Sequence, residues 1–172
     1  ELQRLDLMLR RQVVRLRAAH QFTEDELRGL YIPDAQVDAI LGETIAPVPG
    51  HEPGDSAPAH ESCDADPLEA MVSRVRAENQ ERERVSLQQG IDLPLPRLAR
   101  VFGLSPLERD ALLICAALEL EARYETLYAY VQNDVTRKYP TVDLVLKLLC
   151  ATPEQRLAQR RMFAADQPLF RH

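Results

Sequence analysis

The sequence of 172 residues lacks the features by which several classes of protein are recognised. No apolar run approaches the length of about 18 residues that a membrane-spanning helix needs, so we expect no bilayer-spanning segment. The chain has only three cysteines, an odd number that argues against a disulfide framework and favours a reduced, cytoplasmic protein. The chain begins at Glu1 without methionine or a signal peptide, and we expect it to be a piece of a longer protein.

The motifs of common active sites are also missing. The chain has no P-loop (G-x-x-x-x-G-K-[ST]), no G-x-S-x-G, no H-E-x-x-H and no C-x-x-C. The nearest glycines to a P-loop, in residues 50–56, lack the lysine and lie among acids and prolines that would repel a phosphate. A group of possible metal ligands matches no zinc spacing. Its members are His51, His60, Cys63, Asp64 and Asp66. The sequence therefore predicts no catalytic residue, no metal and no cofactor in this chain.

Negative charge is concentrated in one stretch. The chain has 21 basic and 27 acidic residues, a net charge of −6. Residues 43–67 contain six acids and five of the 12 prolines, and no lysine or arginine. Such a composition cannot bury enough apolar surface to offset the entropy lost on ordering. We therefore predict an acidic flexible linker at 43–67, which joins an N-terminal helical segment, 1–42, to a helical domain, 68–172.

The N-terminal segment is predicted to form three helices. Apolar residues recur every three or four positions over a first helix of about 18 residues. The opposite face carries Arg4, Arg11 and Arg15, for which solvent exposure is the simplest interpretation and partner or anion binding the alternative. A capping box at 23–26 begins the second helix, and Gly42 is expected to end the third. Because 42 residues are too few for a stable core, these helices must pack on the C-terminal part or on a partner.

Helix signals continue through residues 68–172. Gly90 and Gly103 are each expected to end a helix. Ser105 begins the next with a capping box and a proline at the first helical position. Thr141 is expected to cap a later helix, and Thr152 opens another capping box. These signals predict a series of short helices with tight turns.

The helix after Ser105 is apolar along one side and is expected to be the most buried element. Cys115 lies on that side and Cys150 in a later apolar face, so both are expected to be small core residues. In the tail, 168–170 is expected to begin a strand.

The order of the helices also predicts an architecture. Helices at 95–103, 105–118 and 123–135 follow one another with a glycine turn, as in a helix-turn-helix. We predict an all-α bundle with a helix-turn-helix or winged-helix-like core, in which the wing strands are truncated or absent.

Two groups of side chains are candidates for contact with a partner. Tyr124, Tyr128 and Tyr130 offer rings on which bases stack, although helix packing is the simpler interpretation. Basic residues within 68–172 form a possible partner or anion surface despite the near-neutral total charge. They are Arg97, Arg100, Arg123, Arg137 and Lys138. A phosphate clamp needs more clustered basic residues than these, so we do not expect nucleic acid as the partner.

Two stretches of the chain resemble a known family. They are LPLPRLARVFGLSPLERD at 93–110, and LYAYVQNDVTR followed by PTVD within 127–143. With the opening helix, they are similar to the N-terminal winged-helix region of bacterial AAA+ ATPases encoded with extracellular contractile injection systems. The resemblance covers roughly 1–42 and 90–150, and nothing in 43–67 matches.

The resemblance implies a role for the chain and a cofactor for the rest of the parent protein. In that family the ATPase module, which uses ATP and Mg²⁺, follows this region, and none of its motifs occurs in this chain. The implied role is non-catalytic: to dock a protein substrate, an injection-system component or the AAA+ module of the same chain. A homo-hexamer would form only with that module. The alternatives are a nucleic-acid-binding winged helix and a structural oligomerisation module.

Overall fold

The computed structural model describes residues 1–19, 32–44 and 67–171, and every regular element within these ranges is helical. The predicted all-α fold class is therefore confirmed, and the described ranges contain no strand. None of their helices combines the length and apolar character needed to cross a membrane. The predicted capping box at 23–26 and the candidate metal ligands lie outside the described residues. The division of the chain at 43–67 stays a prediction.

Two helices form the described part of the N-terminal segment. Helix α1 spans Leu2–Ala19, as its apolar periodicity predicts. Helix α2 spans Asp34–Thr44 and so continues past Gly42, where the sequence predicted a stop. A glycine ends a helix by adopting a positive φ, and only Gly90 and Gly103 do so among the described glycines. The predicted stop at Gly42 is therefore wrong.

The next two helices begin and end where the sequence predicts. Helix α3 spans Pro67–Gln88 and is followed by Gly90 at a φ of +76°. Helix α4 spans Pro94–Phe102 and ends at Gly103, whose φ is +64° and whose conformation most other residues adopt only at a cost.

Helix α5 spans Pro106–Leu120 and begins with the predicted capping box. The backbone N–H of Glu108 donates to Ser105 Oγ at 3.3 Å, and the Glu108 carboxylate accepts from the backbone N–H of Ser105 at 2.8 Å. This exchange satisfies two backbone donors that the first turn of a helix leaves without partners.

The buried stripe of α5 differs from the predicted one. Its members are Glu108, Asp110, Ala111, Leu113, Ile114 and Ala117. The face of the helix that is buried thus includes Asp110, because an ion pair with Arg4 lets this carboxylate enter the core. Cys115 is exposed, so its assignment to the core is wrong, whereas Cys150 is buried as predicted.

Helix α6 spans Arg123–Val131, and helix α7 spans Val142–Leu149 with Thr141 as its cap. Helix α6 buries six of its nine residues, and α5 buries six of 15. The expectation that α5 is the most buried element is therefore wrong.

The C-terminal elements are short. Helix α8 spans Pro153–Gln159, opens with the predicted capping box, and runs into a 3-10 turn at Arg160–Phe163. Helix α9 spans Pro168–Arg171, where the sequence suggested a strand. The Gln167 carbonyl accepts from the amides of Phe170 and Arg171, which closes a helical turn.

One hydrophobic core joins the two ends of the chain. Leu9 of α1 and Val37 of α2 are fully buried in the same cluster as Leu127 and Tyr128 of α6. Helix α1 packs most extensively on α3 and also contacts α2, α6 and α7. The N-terminal helices were expected to pack either on the C-terminal part of the chain or on a partner. The structure shows that they pack on the C-terminal part.

Candidate functional site

Two arginines of α1 are buried, contrary to the expectation of a solvated basic face. Arg4 is 3% exposed and Arg11 is 4% exposed. Arg4 donates from both Nη atoms to the carboxylate of Asp110, at 2.6 and 3.0 Å, and from Nε to Glu1. A buried guanidinium is tolerated only when its donors find such partners. The predicted solvent exposure is therefore wrong for Arg4 and Arg11, whereas Arg15 is exposed as predicted.

Arg11 links α1 to two other helices. Its Nη1 pairs with the carboxylate of Glu69 on α3, and its Nη2 donates to the Leu148 carbonyl of α7 at 2.7 Å. Arg11 is thus held in place by two of its nitrogens, and its third, Nε, is buried without an acceptor among the described residues.

A third polar group on α1, Asp6, is fully buried against α6. Its carboxylate accepts from the Tyr124 hydroxyl at 2.9 Å and from Arg123 Nη2 at 3.0 Å. Burial raises the pKa of Asp6, and the bonds from Tyr124 and Arg123 oppose that rise. Burial and the neighbouring carboxylate also raise the pKa of Tyr124. The group holds α1 on α6 as a charged hydrogen-bond network.

The three tyrosines pack in the core and do not form a stacking platform. Tyr124 and Tyr128 are fully buried and Tyr130 is 5% exposed. The Tyr128 hydroxyl donates to the Ile114 carbonyl at 2.7 Å, and the Tyr130 hydroxyl donates to Asp34 at 2.6 Å. The packing interpretation of these residues is confirmed.

The five residues proposed as a partner or anion surface lie on separate elements. Arg97 and Arg100 lie on α4, Arg123 begins α6, and Arg137 and Lys138 lie in the loop after α6. Four of them bond to carboxylates: Arg97 to Asp92, Arg123 to Asp6 and Glu121, Arg137 to Asp134, and Lys138 to Glu125. The structure thus brings Arg123 into the α1 network and leaves the others as dispersed surface charges.

The sequence did not predict an apolar surface that α3 and α4 form together. No residue of α4 is buried, although Leu98 and Phe102 lie on the apolar side of the helix and Val101 is 65% exposed. We define the α3–α4 surface by the exposed apolar residues of these helices and the turn between them. They are Val85, Leu87, Ile91, Leu98, Val101 and Phe102. The sequence shows the apolar stripe of α4, but not that no other helix covers it.

Grooves flank this surface. One of about 380 Å³ lies between α3 and α4 and is lined by Leu87, Ala99, Leu104 and Pro106. A second, of about 310 Å³, is lined by residues 93–96 and the facing side of α3. Exposed apolar residues beside grooves are typical of surfaces that bind another protein.

The stretches that resemble the ATPase family have a structural explanation. In the first, Gly103 and Ser105 form the turn and cap between α4 and α5. In the second, the Gln132 amide organises the loop between α6 and α7. Its Nε2 donates to three backbone carbonyls, those of Tyr128, Arg137 and Tyr139, and its Oε1 accepts from Thr141. These residues determine turns and caps, and none of them contributes to a catalytic group.

The described residues contain no group of three or more His, Cys, Asp or Glu side chains placed to hold a metal. Cys150 is buried, and its burial raises the pKa of the thiol, which disfavours the reactive thiolate.

The comparisons with known proteins give one result. A search of curated proteins and a search of solved structures gave no match. A family model described as the winged helix domain, variant, matches residues 1–172. Since this match extends over the whole chain and agrees with its helical architecture, the protein belongs to the winged helix domain variant family.

Proposed function

We propose that this winged helix domain is a non-catalytic docking module that binds a protein partner through the α3–α4 surface. The observation that supports the proposal is the set of exposed apolar side chains on α4, an amphipathic helix with no buried residue. Exposed apolar surface gains free energy when a partner covers it, roughly 25 cal/mol per Å². The adjoining grooves offer room for a partner's side chains.

The distribution of charge favours protein over nucleic acid as the partner. Duplex binding needs several lysines or arginines free to displace counterions from phosphates. Of the five candidates, Arg100 has neither a hydrogen bond nor an ion pair to a described residue, whereas the other four bond to carboxylates. Helix α7, a short helix with a polar side, pairs its half-buried Lys147 with Asp143. The five candidates therefore do not form a concentrated cationic patch.

The resemblance to AAA+ ATPases of contractile injection systems specifies the role further. On this proposal the module recruits a protein substrate or an injection-system component, or contacts the ATPase module of the same cytoplasmic chain. ATP and Mg²⁺ would bind in that module, which also drives assembly of the hexamer. The support is the length of the two resembling stretches, 93–110 and 127–143.

Site-directed photo-crosslinking tests the docking surface. A photoreactive amino acid replaces Val101 on the α3–α4 surface, and a matched control replaces Leu157 on α8, an isolated apolar side chain that is 77% exposed. We expect the Val101 position to crosslink in cells to one dominant protein, identified by mass spectrometry, and the Leu157 position to give none. Equal yields at both positions, or no adduct at Val101, would contradict the proposal.

Further measurements test the alternatives. Salt-dependent binding of a DNA duplex, measured by fluorescence anisotropy, would favour the nucleic-acid-binding alternative. A stable hexamer of the isolated chain in sedimentation would favour the oligomerisation module. Tight, Mg²⁺-dependent binding of ATP to this chain in calorimetry would contradict a non-catalytic role.

A further inference from the structure

A cavity lies beneath α1 and is distinct from the α3–α4 surface. It has a volume of about 230 Å³ and opens between α1, α3, α5 and the start of α8. Its polar lining comprises Arg4, Arg11, Glu69, Arg76, Asp110 and Gln155, and the rest is apolar. The side chains of Arg76 and Glu69 are each 43% exposed, so they form the entrance, whereas Arg4 and Arg11 lie at its closed end.

The closed end of the cavity carries a hydrogen-bond donor without an acceptor. Arg11 is 96% buried, and its Nη atoms are held by Glu69 and by the Leu148 carbonyl. Its Nε–H has no acceptor among the described residues. Leaving a buried charged donor unbonded is costly, so an anion in the cavity would be stabilised by the positive charge of Arg11.

Two further donors line the same cavity. Gln155 Oε1 accepts from the amides of Ala151 and Thr152, which fixes the orientation of the side-chain amide. Its Nε2 has no acceptor in the described part of the chain. Arg76 approaches Asp110 with Nη2 only, at 3.6 Å, so its remaining N–H groups are available. The cavity thus combines the fixed guanidinium of Arg11, a fixed amide and the half-exposed guanidinium of Arg76.

The carboxylates in the cavity are already engaged. Both oxygens of Asp110 accept from Arg4, and Glu69 pairs with Arg11. The three lining arginines exceed these two carboxylates by one positive charge. Glu1, outside the lining, also accepts from Arg4. An entering anion meets Glu69 at the entrance, where that half-exposed side chain is able to swing towards solvent.

From this arrangement we infer a binding site for a phosphate-type oxyanion, in which Gln155 Nε2 and the Arg76 guanidinium hold its oxygens beside the positive charge of Arg11. The volume admits a phosphate together with a small attached group. Guanidinium and amide donors at fixed positions suit the several acceptor oxygens of a tetrahedral anion better than the two of a carboxylate.

Calorimetric titration with sodium phosphate at constant ionic strength tests the site in the chain as it stands. Gln155→Glu is the most informative variant. A glutamate keeps the acceptor that caps α8 but replaces the Nε2 donor with a negative oxygen. Arg76→Gln removes the half-exposed guanidinium. Arg74→Gln is its matched control, because Arg74 lies on the same helix, is 81% exposed and does not line the cavity.

We expect saturable phosphate binding to the wild-type chain and to Arg74→Gln. Binding should be roughly tenfold weaker in Arg76→Gln, the loss expected for one charge-assisted hydrogen bond, and undetectable in Gln155→Glu. The urea midpoints of the unliganded variants check that each one folds.

Several outcomes would overturn the site. They are the absence of saturable binding to the wild-type chain and equal binding by all variants. Acetate titrated under the same conditions distinguishes a phosphate site from a carboxylate site. If acetate bound as tightly as phosphate, the site would be a carboxylate receptor. O-phosphoserine that binds more tightly than inorganic phosphate would identify the ligand as a phosphate ester, and the converse would identify the free ion.

Discussion

Arg4 and Asp110 are 106 positions apart in the sequence, and in the core their side chains form two parallel hydrogen bonds of 2.6 and 3.0 Å. Each side chain is only 4% exposed. The pair fastens α1 to α5 in a medium where either charge alone would be costly. Its contribution to folding therefore depends on both partners being present.

Removing one partner of this pair should cost more than removing both. We expect Asp110→Ala to lower the free energy of unfolding by about 3–5 kcal/mol, because it leaves the Arg4 guanidinium buried without its main partner. The double variant Arg4→Met/Asp110→Leu should lose less. Urea unfolding measures both, with Arg74→Ala as the exposed control, for which the change should stay within about 0.5 kcal/mol. A double variant that loses as much as the sum of the single ones would contradict this account.

The buried carboxylate of Asp6 should give a characteristic pH dependence. Burial raises its pKa above the ordinary value of 3.8, so the folded protein binds this proton more tightly than the unfolded chain. The stabilisation from this group is therefore complete below pH 3.8 and is lost as the pH rises through the folded pKa.

Comparison with Asp6→Asn isolates that effect, because asparagine still accepts the Tyr124 hydroxyl but does not titrate. The free energy of unfolding of the wild-type chain, minus that of Asp6→Asn, should decrease from pH 3 to pH 7. Chemical unfolding at several pH values measures the difference. A constant difference, or one that grows with pH, would show that Tyr124 and Arg123 outweigh the burial of Asp6.

The loop between α6 and α7 should depend on the amide of Gln132. Its Nε2 group serves three carbonyl oxygens, so Gln132→Glu places a carboxylate against them. We expect a loss of about 1–3 kcal/mol in unfolding free energy, the usual cost of unsatisfied polar groups. Hydrogen exchange should quicken at residues 133–141 and stay unchanged in α8. A variant as stable as the wild type, with unchanged exchange, would contradict this role.

The two described cysteines should differ in their reaction with a thiol reagent. In a Cys63→Ser background, Cys115 should be labelled in the native protein because it is exposed. Cys150 is buried and its burial raises the pKa of the thiol, so it should react only on unfolding. Labelling followed by peptide mass spectrometry assigns each site. Faster labelling of Cys150 would contradict the exposure described above.

The local parts of the fold could be predicted and the long-range parts could not. Gly103 and Ser105 determine a helix end and a helix start through backbone geometry and bonds within three residues, so the sequence alone indicates them. Arg4 looks like a surface residue because its partner lies on another helix. Because Asp110 pairs with Arg4 in the core, the buried side of α5 includes Asp110. Cys115 is exposed, contrary to the prediction.

In the candidate sites too, the local features could be predicted from the sequence and the long-range contacts could not. The apolar stripe of α4 is visible in the sequence, but whether another helix covers it depends on the packing of the whole domain. The donors of the cavity come from Arg11, Arg76 and Gln155, on three helices. No short motif connects positions so far apart, and only the folded chain brings them together.

The network on α1 has a consequence for the synthesis of the protein. Helix α1 emerges from the ribosome before the rest of this domain, yet Arg11 finds its carbonyl partner at Leu148, 137 positions later. The nascent chain therefore cannot complete its core until most of the domain has been translated. During that interval the arginines of α1 are hydrated, and the charges of Arg4 and Arg11 later attach the helix to the finished domain.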